Sequence, residues 1–119
     1  MHINIRPVKG FKHAPTRLPD YLSEGRWHGD ALLMQYQGER WSFNDFFSAV
    51  DRLSDWLRTE ARIEASTPVA IAMRNRPEWL IAFVAIVNAG GIAVPLNSWG
   101  RASELNQGLT DSKARLLIC

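Results

Sequence analysis

The stretch VAIAMRNRPEWLIAFVAIVNAGGIAVPLNSWG, Val69 to Gly100, decides how this 119-residue chain folds. Val69–Met73 is a short, uninterrupted apolar run behind Thr67-Pro68, the pattern of a strand buried on both faces. RNRPEW then turns the chain into a helix, with Asn75 as its cap and Pro77 in the first turn, where a missing N–H is tolerated. From Pro77 to Asn88 the helix is apolar nearly all round, at Leu80, Ile81, Phe83, Val84, Ile86 and Val87. Such a helix is sandwiched between layers. NAGG ends it, with Gly90 or Gly91 free to take a positive φ. IAVP is a second buried strand. A further helix over Arg101–Asp111 turns Ala102, Leu105 and Leu109 inward, and ARLLI, Ala114 to Ile118, is a third strand. The order strand, helix, strand, helix, strand predicts an α/β class: a partial parallel sheet with right-handed crossovers and helices on both faces.

Upstream, ALLMQYQGERWSF places two short β segments around Gln37-Gly38-Glu39, a short hairpin. Ser42 stands at an N-cap with Asp45 three residues on, close to a capping box. The helix that follows is apolar at Phe43, Phe46, Phe47, Val50, Leu53 and Leu57, one face at helical spacing. Asp51, Arg52, Asp55 and Arg58 make the opposite face a solvated one. Residues 1–29 form an irregular arm interrupted by Pro7, Pro15 and Pro19. LPDYLSEG holds one short helix there, with Pro19 in its first turn and Gly25 as its stop. The expected division is this arm, 1–29, and an incomplete α/β subdomain, 30–119.

Composition narrows the function. Apolar residues make up 46% and charged residues 22%, ordinary for a soluble globular domain. The net charge of +2 is spread over scattered Lys and Arg, so no nucleic-acid partner is expected. A single cysteine, Cys119, fits a reducing compartment, and the cytoplasm is the expected location. MHINIRPVKGFKHAP has no continuous apolar core, so no secretion signal is expected. The longest apolar run, Trp79–Val87, is too short to cross a bilayer, and no transmembrane segment is expected. Five tryptophans is a high count, and core packing is the expected use.

The common catalytic signatures are missing. There is no GxGxxG and no Walker loop. His2, His13 and His28 all fall in the arm, far from Cys119, so no metal site is expected. No serine sits in a nucleophile elbow, and His28 with Asp30 lacks a nucleophile to form a triad. Two segments remain: MRNRPEW after the first parallel strand and PLNSWG after the second. Ligands of open α/β sheets bind beyond such strand ends. Arg74 and Arg76 could meet a phosphate there, or remain solvated loop arginines. Asn97, Ser98 and Trp99 offer backbone donors, a hydroxyl and a stacking plane, although Trp99 serves equally as a lid over the core.

Taken in order, Trp41-Ser42-Phe43, Val69-Ala70-Ile71, Asn75-Arg76-Pro77-Glu78, Ala89-Gly90-Gly91, Val94-Pro95-Leu96-Asn97 and Asp111-Ser112 with Ala114 resemble the start of the AMP-forming acyl-CoA synthetases. The resemblance runs from about Ala31 to Cys119, and the Trp of PLNSWG is most similar to bacterial fatty-acyl ligases. Ser66-Thr67-Pro68 departs from it, standing where the family usually has Gly-Asp. The resemblance implies the N-terminal segment of the acyl-CoA synthetase fold. It implies a parent enzyme that joins a fatty or other carboxylic acid to coenzyme A, using ATP and Mg²⁺, none of which is expected to bind tightly to this chain alone. The phosphate-binding loop and the catalytic lysine of that family fall downstream of the matched part, so no catalytic residue is assigned here and no ligase activity is expected from this chain alone. The resemblance places Asn97, Ser98 and Trp99 near the coenzyme A nucleotide. The expected partner is the remainder of the ligase chain. The alternative is a stand-alone binding module that recruits partners, or its own copies, through an exposed strand edge. A flavodoxin-like nucleotide binder is disfavoured by the missing phosphate loop.

Overall fold

The computed structural model describes residues 6–119; His2 lies outside them. The elements run α1 (Leu18–Ser23), a 3-10 turn (Glu24–His28), β1 (Leu32–Tyr36), β2 (Glu39–Ser42), α2 (Phe43–Thr59), β3 (Pro68–Ile71), α3 (Pro77–Asn88), β4 (Ile92–Pro95), α4 (Ala102–Ser112) and β5 (Leu116–Ile118). The α/β class and the parallel three-stranded sheet are as the sequence predicts. β3 takes the centre in the order β4-β3-β5 because its residues suit burial on both faces. Val69 stands opposite Ala93 on one side and Leu116 on the other. Ile71 stands opposite Pro95 and Ile118 in the same way.

Alternation along the strands divides these residues between two faces. Val69, Ile71, Ala93, Leu116 and Ile118 join one core with α2 and α3. Phe46, Phe47, Val50 and Leu57 of α2 and Ile81, Val84 and Ile86 of α3 supply the helical side of that core. Ala70 is also fully buried and points to the other face. The step from β3 to β4 and the step from β4 back to β5 run in opposite directions across the sheet. Right-handed crossovers therefore put α3 on one face and α4 on the other. Leu105 and Leu109 of α4 are half-buried.

The hairpin forms where expected, as an antiparallel β1–β2 pair. Gln37 and Gly38 both take positive φ, 48° and 84°, as a two-residue hairpin turn requires. Ser42 then caps α2. Its Oγ accepts from the Asp45 N–H at 3.0 Å, and an Asp45 carboxylate oxygen accepts from the Ser42 N–H at 3.1 Å. Gly90, at φ 88°, ends α3. Gly91 is needed for space instead: a Cβ there would lie 3.0 Å from Ile86 and 3.1 Å from the Thr67 carbonyl.

Five expectations are corrected. IAVP is not a buried strand: Ile92 and Pro95 are exposed, because β4 is an outer strand paired with β3 alone among the described residues. Asn75 does not cap α3; Arg76 holds the cap position, with no side-chain cap bond. The reason is Pro77, which forces the residue before it out of the helical region, and Arg76 sits at φ −148° and ψ 164°. Ala102 is exposed, because the inward stripe of α4 starts only at Leu105. Gly25 is not a helix stop, since α1 ends at Ser23 and Gly25 lies in the 3-10 turn. It is there for close approach: a Cβ would meet the Phe47 ring at 3.1 Å. None of the five tryptophans is fully buried. Trp41 and Trp79 pack against the core, Trp56 is half exposed, and Trp27 and Trp99 are 91% and 74% exposed.

Residues 24–28 lie across α2. Arg26 donates to both carboxylate oxygens of Asp51, at 2.7 and 3.0 Å, and its guanidinium carbon stands 4.5 Å from the centre of the Phe47 ring. His28 packs its ring 4.6 Å from that of Phe43.

Candidate functional site

Parallel strands end their C-terminal edge in loops, and the loops after β3 and β4 meet over a cleft of about 540 Å³. Met73, Arg74 and Asn75 line it from the first loop, and Pro95 to Trp99 from the second. Tyr36 reaches it from the end of β1, and Trp79 from the first turn of α3. The root of the second loop is fixed by the sheet: the Leu96 N–H donates to the Ile71 carbonyl at 2.8 Å. Beyond it, Asn97 shapes a turn. Its side-chain oxygen accepts the Trp99 N–H at 3.0 Å, and its carbonyl accepts the Gly100 N–H at 3.3 Å. Asx turns of this kind are a common use of asparagine in loops. At the end of the loop the Arg101 N–H donates to a Glu104 carboxylate oxygen at 3.0 Å, which anchors it to α4.

The central feature is a stack. The Arg74 guanidinium carbon lies 3.8 Å from the centroid of the Trp99 indole. Guanidinium-over-indole contacts at exposed sites contribute about 0.5–1 kcal/mol. Here the contact joins the loops after β3 and β4, which the sequence marks out separately. The ion pairs among the described residues are Arg26–Asp51 and Arg58–Asp55, and neither involves Arg74. The cleft thus carries a cation with no carboxylate partner, beside an indole and the half-buried Ser98.

Asn97, Ser98, Trp99 and Arg74 therefore share one cleft, while Arg76 does not line it. Met73 and Trp79, which also line it, fall within the segment MRNRPEW without being named as contacts, and Tyr36 is a lining residue that the sequence does not single out. Trp79 stacks on Phe83 with ring centres 5.6 Å apart and planes 7° from parallel. Position 79 falls one helical turn before 83, so that pairing was within reach of helical spacing. Tyr36 belongs to the hairpin, and only tertiary structure brings it to the cleft.

Elsewhere the polar residues are engaged locally. Asp30 accepts a hydrogen bond from the Asn44 amide at 2.9 Å. Hydrogen bonding to Asp51 raises the Arg26 pKa above its ordinary value, against an opposing effect of burial. Among the described residues no group of three His, Cys, Asp or Glu side chains is placed to hold a metal ion. No helix among them is long and apolar enough to cross a membrane.

Comparison with known proteins gives this geometry a context. The AMP-binding enzyme family matches residues 24–119. The chain is similar to an oxalate–CoA ligase of Arabidopsis thaliana, 33% identical over 69 residues, which are 58% of this chain and 13% of that protein. It is similar to a malpinin synthetase of Mortierella alpina, 27% identical over 88 residues, which are 74% of this chain and 1% of that protein. Its fold matches the N-terminal subdomain of NpsA from Klebsiella oxytoca, solved in complex with 3-hydroxyanthranilyl-AMSN, with a TM-score of 0.78 at 22% identity. That match covers 85% of this chain and 26% of the other. The chain thus spans only a small part of the proteins it resembles. It belongs to the AMP-binding enzyme family, and its fold is that of the N-terminal subdomain of adenylation domains.

Proposed function

We propose that this chain is the N-terminal part of an ATP-dependent, AMP-forming ligase that joins a carboxylic acid, a fatty acid in the first instance, to coenzyme A in the cytoplasm. In that chemistry a carboxylate oxygen attacks the α-phosphorus of ATP and pyrophosphate leaves. The thiol then attacks the acyl carbon, AMP leaves, and the thiol proton passes to solvent. The residues of this chain form a scaffold behind those steps and supply no catalytic group. Mg²⁺ neutralises phosphate charge in such transfers, and among the described residues no group of three His, Cys, Asp or Glu side chains is placed to hold a metal ion.

The observation that carries the proposal is the family match over 24–119, together with a cleft at the ends of β3 and β4 where the family resemblance puts a nucleotide. Trp99 supplies a plane for the coenzyme A base, Ser98 a hydroxyl, and Asn97 the turn that presents both. Cys119, free and exposed, is at home in a reducing compartment.

A second reading has its own support. β4 and β5 are the outer strands of the sheet, each paired on one side only among the described residues. Such edges recruit partners, which favours an interaction module or self-association without catalysis. One experiment separates the two. Acid-dependent exchange of labelled pyrophosphate into ATP is measured on the longer ligase containing this chain and on the 119-residue chain alone, followed by release of AMP on adding coenzyme A. The ligase proposal expects both activities in the longer protein and neither in the short chain. Failure of the longer protein to exchange with any carboxylic acid would reject the proposal. Exchange without coenzyme A-dependent AMP release would leave adenylation standing and move the acyl group to another thiol.

A further inference from the structure

Arg74 and Trp99 lie 25 positions apart in the chain and stand on different loops, yet the Arg74 guanidinium carbon sits over the Trp99 ring, 3.8 Å from its centroid. A guanidinium that stacks through its face keeps its N–H donors in its own plane, pointing past the edge of the ring. Arg74 makes no ion pair with a described carboxylate, so those donors are open to a ligand. Trp99 is 74% exposed, and Arg74 lies over its ring. The cleft beside the pair, about 540 Å³, is within the size range of small-ligand sites.

We infer that Arg74 is the specificity-determining residue of this cleft. It sets the plane of Trp99, and it makes the cleft select a flat ligand that bears a phosphate over the same ligand without one. The base lies on the opposite face of the indole, and a phosphate oxygen accepts in-plane hydrogen bonds from the guanidinium. Arg74 thus acts partly through Trp99 and partly as a direct contact. This inference rests on the nucleotide-binding role proposed above for Asn97, Ser98 and Trp99. Lysine at 74 would keep the charge and lose the flat stacking surface.

The test is a nitrogen-15 NMR titration of the 119-residue chain, observed at the indole N–H signals of its five tryptophans. Trp99→Phe identifies the Trp99 signal. The probes are adenosine 3′,5′-bisphosphate and adenosine. The expected result is a shift of the Trp99 signal by both, with the bisphosphate effective at a roughly tenfold lower concentration, the scale of one charge-assisted hydrogen bond. In Arg74→Gln that preference disappears, and the ligand-free Trp99 signal moves while the other indole signals stay in place, which shows that the fold is intact. Arg74→Lys restores part of the preference but not the ligand-free position of the Trp99 signal. A tenfold preference that persists in Arg74→Gln overturns the inference and leaves the nucleotide site standing. No movement of the Trp99 signal with either probe in the unaltered chain overturns both.

Discussion

Arg26 holds Asp51 through two parallel hydrogen bonds, at 2.7 and 3.0 Å, and so fastens the 3-10 turn before the hairpin to the outer face of α2. Both side chains are about half exposed, so solvent screens the pair. Asp51→Asn should cost about 0.5–1 kcal/mol, the upper part of the range for exposed pairs, because the geometry is bidentate. The raised pKa of Arg26 fixes the sign of its pH dependence. A cation whose pKa is higher in the folded state contributes stability that is complete below its unfolded value and is lost only as pH rises through the folded one. Because the folded Arg26 pKa is raised above its ordinary arginine value, that window lies above the working range. Melting temperatures of the unaltered chain and of Arg26→Gln should therefore differ by a constant amount from pH 7 to pH 10. A gap that closes across that interval would refute this assignment.

The capping box gives a second expectation. Ser42→Ala and Asp45→Ala each remove one of two reciprocal hydrogen bonds at the start of α2. Each should lower stability by about 1 kcal/mol in urea unfolding. Because the two bonds form one unit, the double variant should lose less than the sum of the single losses. Strict additivity would mean that the two residues act independently.

Ser54 is buried in α2, and its hydroxyl has no hydrogen-bond partner among the described residues. A hydroxyl that loses water without gaining a partner is a cost of about 1–3 kcal/mol. Alanine also favours the helix. Ser54→Ala should therefore stabilise the chain by about 1 kcal/mol or slightly more. A destabilised variant would show that the hydroxyl has a partner in solution.

Lys113 ends α4 in the left-handed region, at φ 57° and ψ 30°. Lys113→Gly should relieve that strain and raise stability by about 0.5–1 kcal/mol. Gly90 is the converse case. At φ 88° an alanine there should cost about 1–2 kcal/mol, although the nearest atom to its new Cβ, the Ala65 Cα, leaves room at 3.9 Å. A gain at 113 and a loss at 90 in thermal unfolding would identify backbone conformation, not crowding, as the cause.

Much of this architecture was legible in short-range pattern. The all-apolar run of α3, the short apolar strands and the Ser42–Asp45 box each announce one element, and the order of elements announces the parallel sheet. What escaped was set by proline geometry or by contacts distant in sequence. Asn75 has the chemistry of a cap, but Pro77 moves the helix start to Arg76. Gly25 has the chemistry of a stop, but the nearby Phe47 ring makes it a contact residue. The cleft was half legible. Both of its loops could be named from the rule that ligands sit beyond parallel strand ends. The Arg74–Trp99 stack and the approach of Tyr36 depend on how the strands and hairpin are arranged in space, which local periodicity does not encode. The tryptophans misled for a related reason: they are large enough to pack at the margin of the core while keeping one edge in water.

The place of β3 between β4 and β5 has a consequence for biosynthesis. The central strand leaves the ribosome first, and both of its neighbours follow it. While residues 68–71 wait, their backbone groups have no lateral partner, and the contact between α2 and α3 is the first structure able to shield them. Ala93 then closes one flank of Val69, and Leu116 closes the other much later. Any pause in translation between those two events holds the nascent chain with its central strand half covered. That interval is where a chaperone would have most to protect.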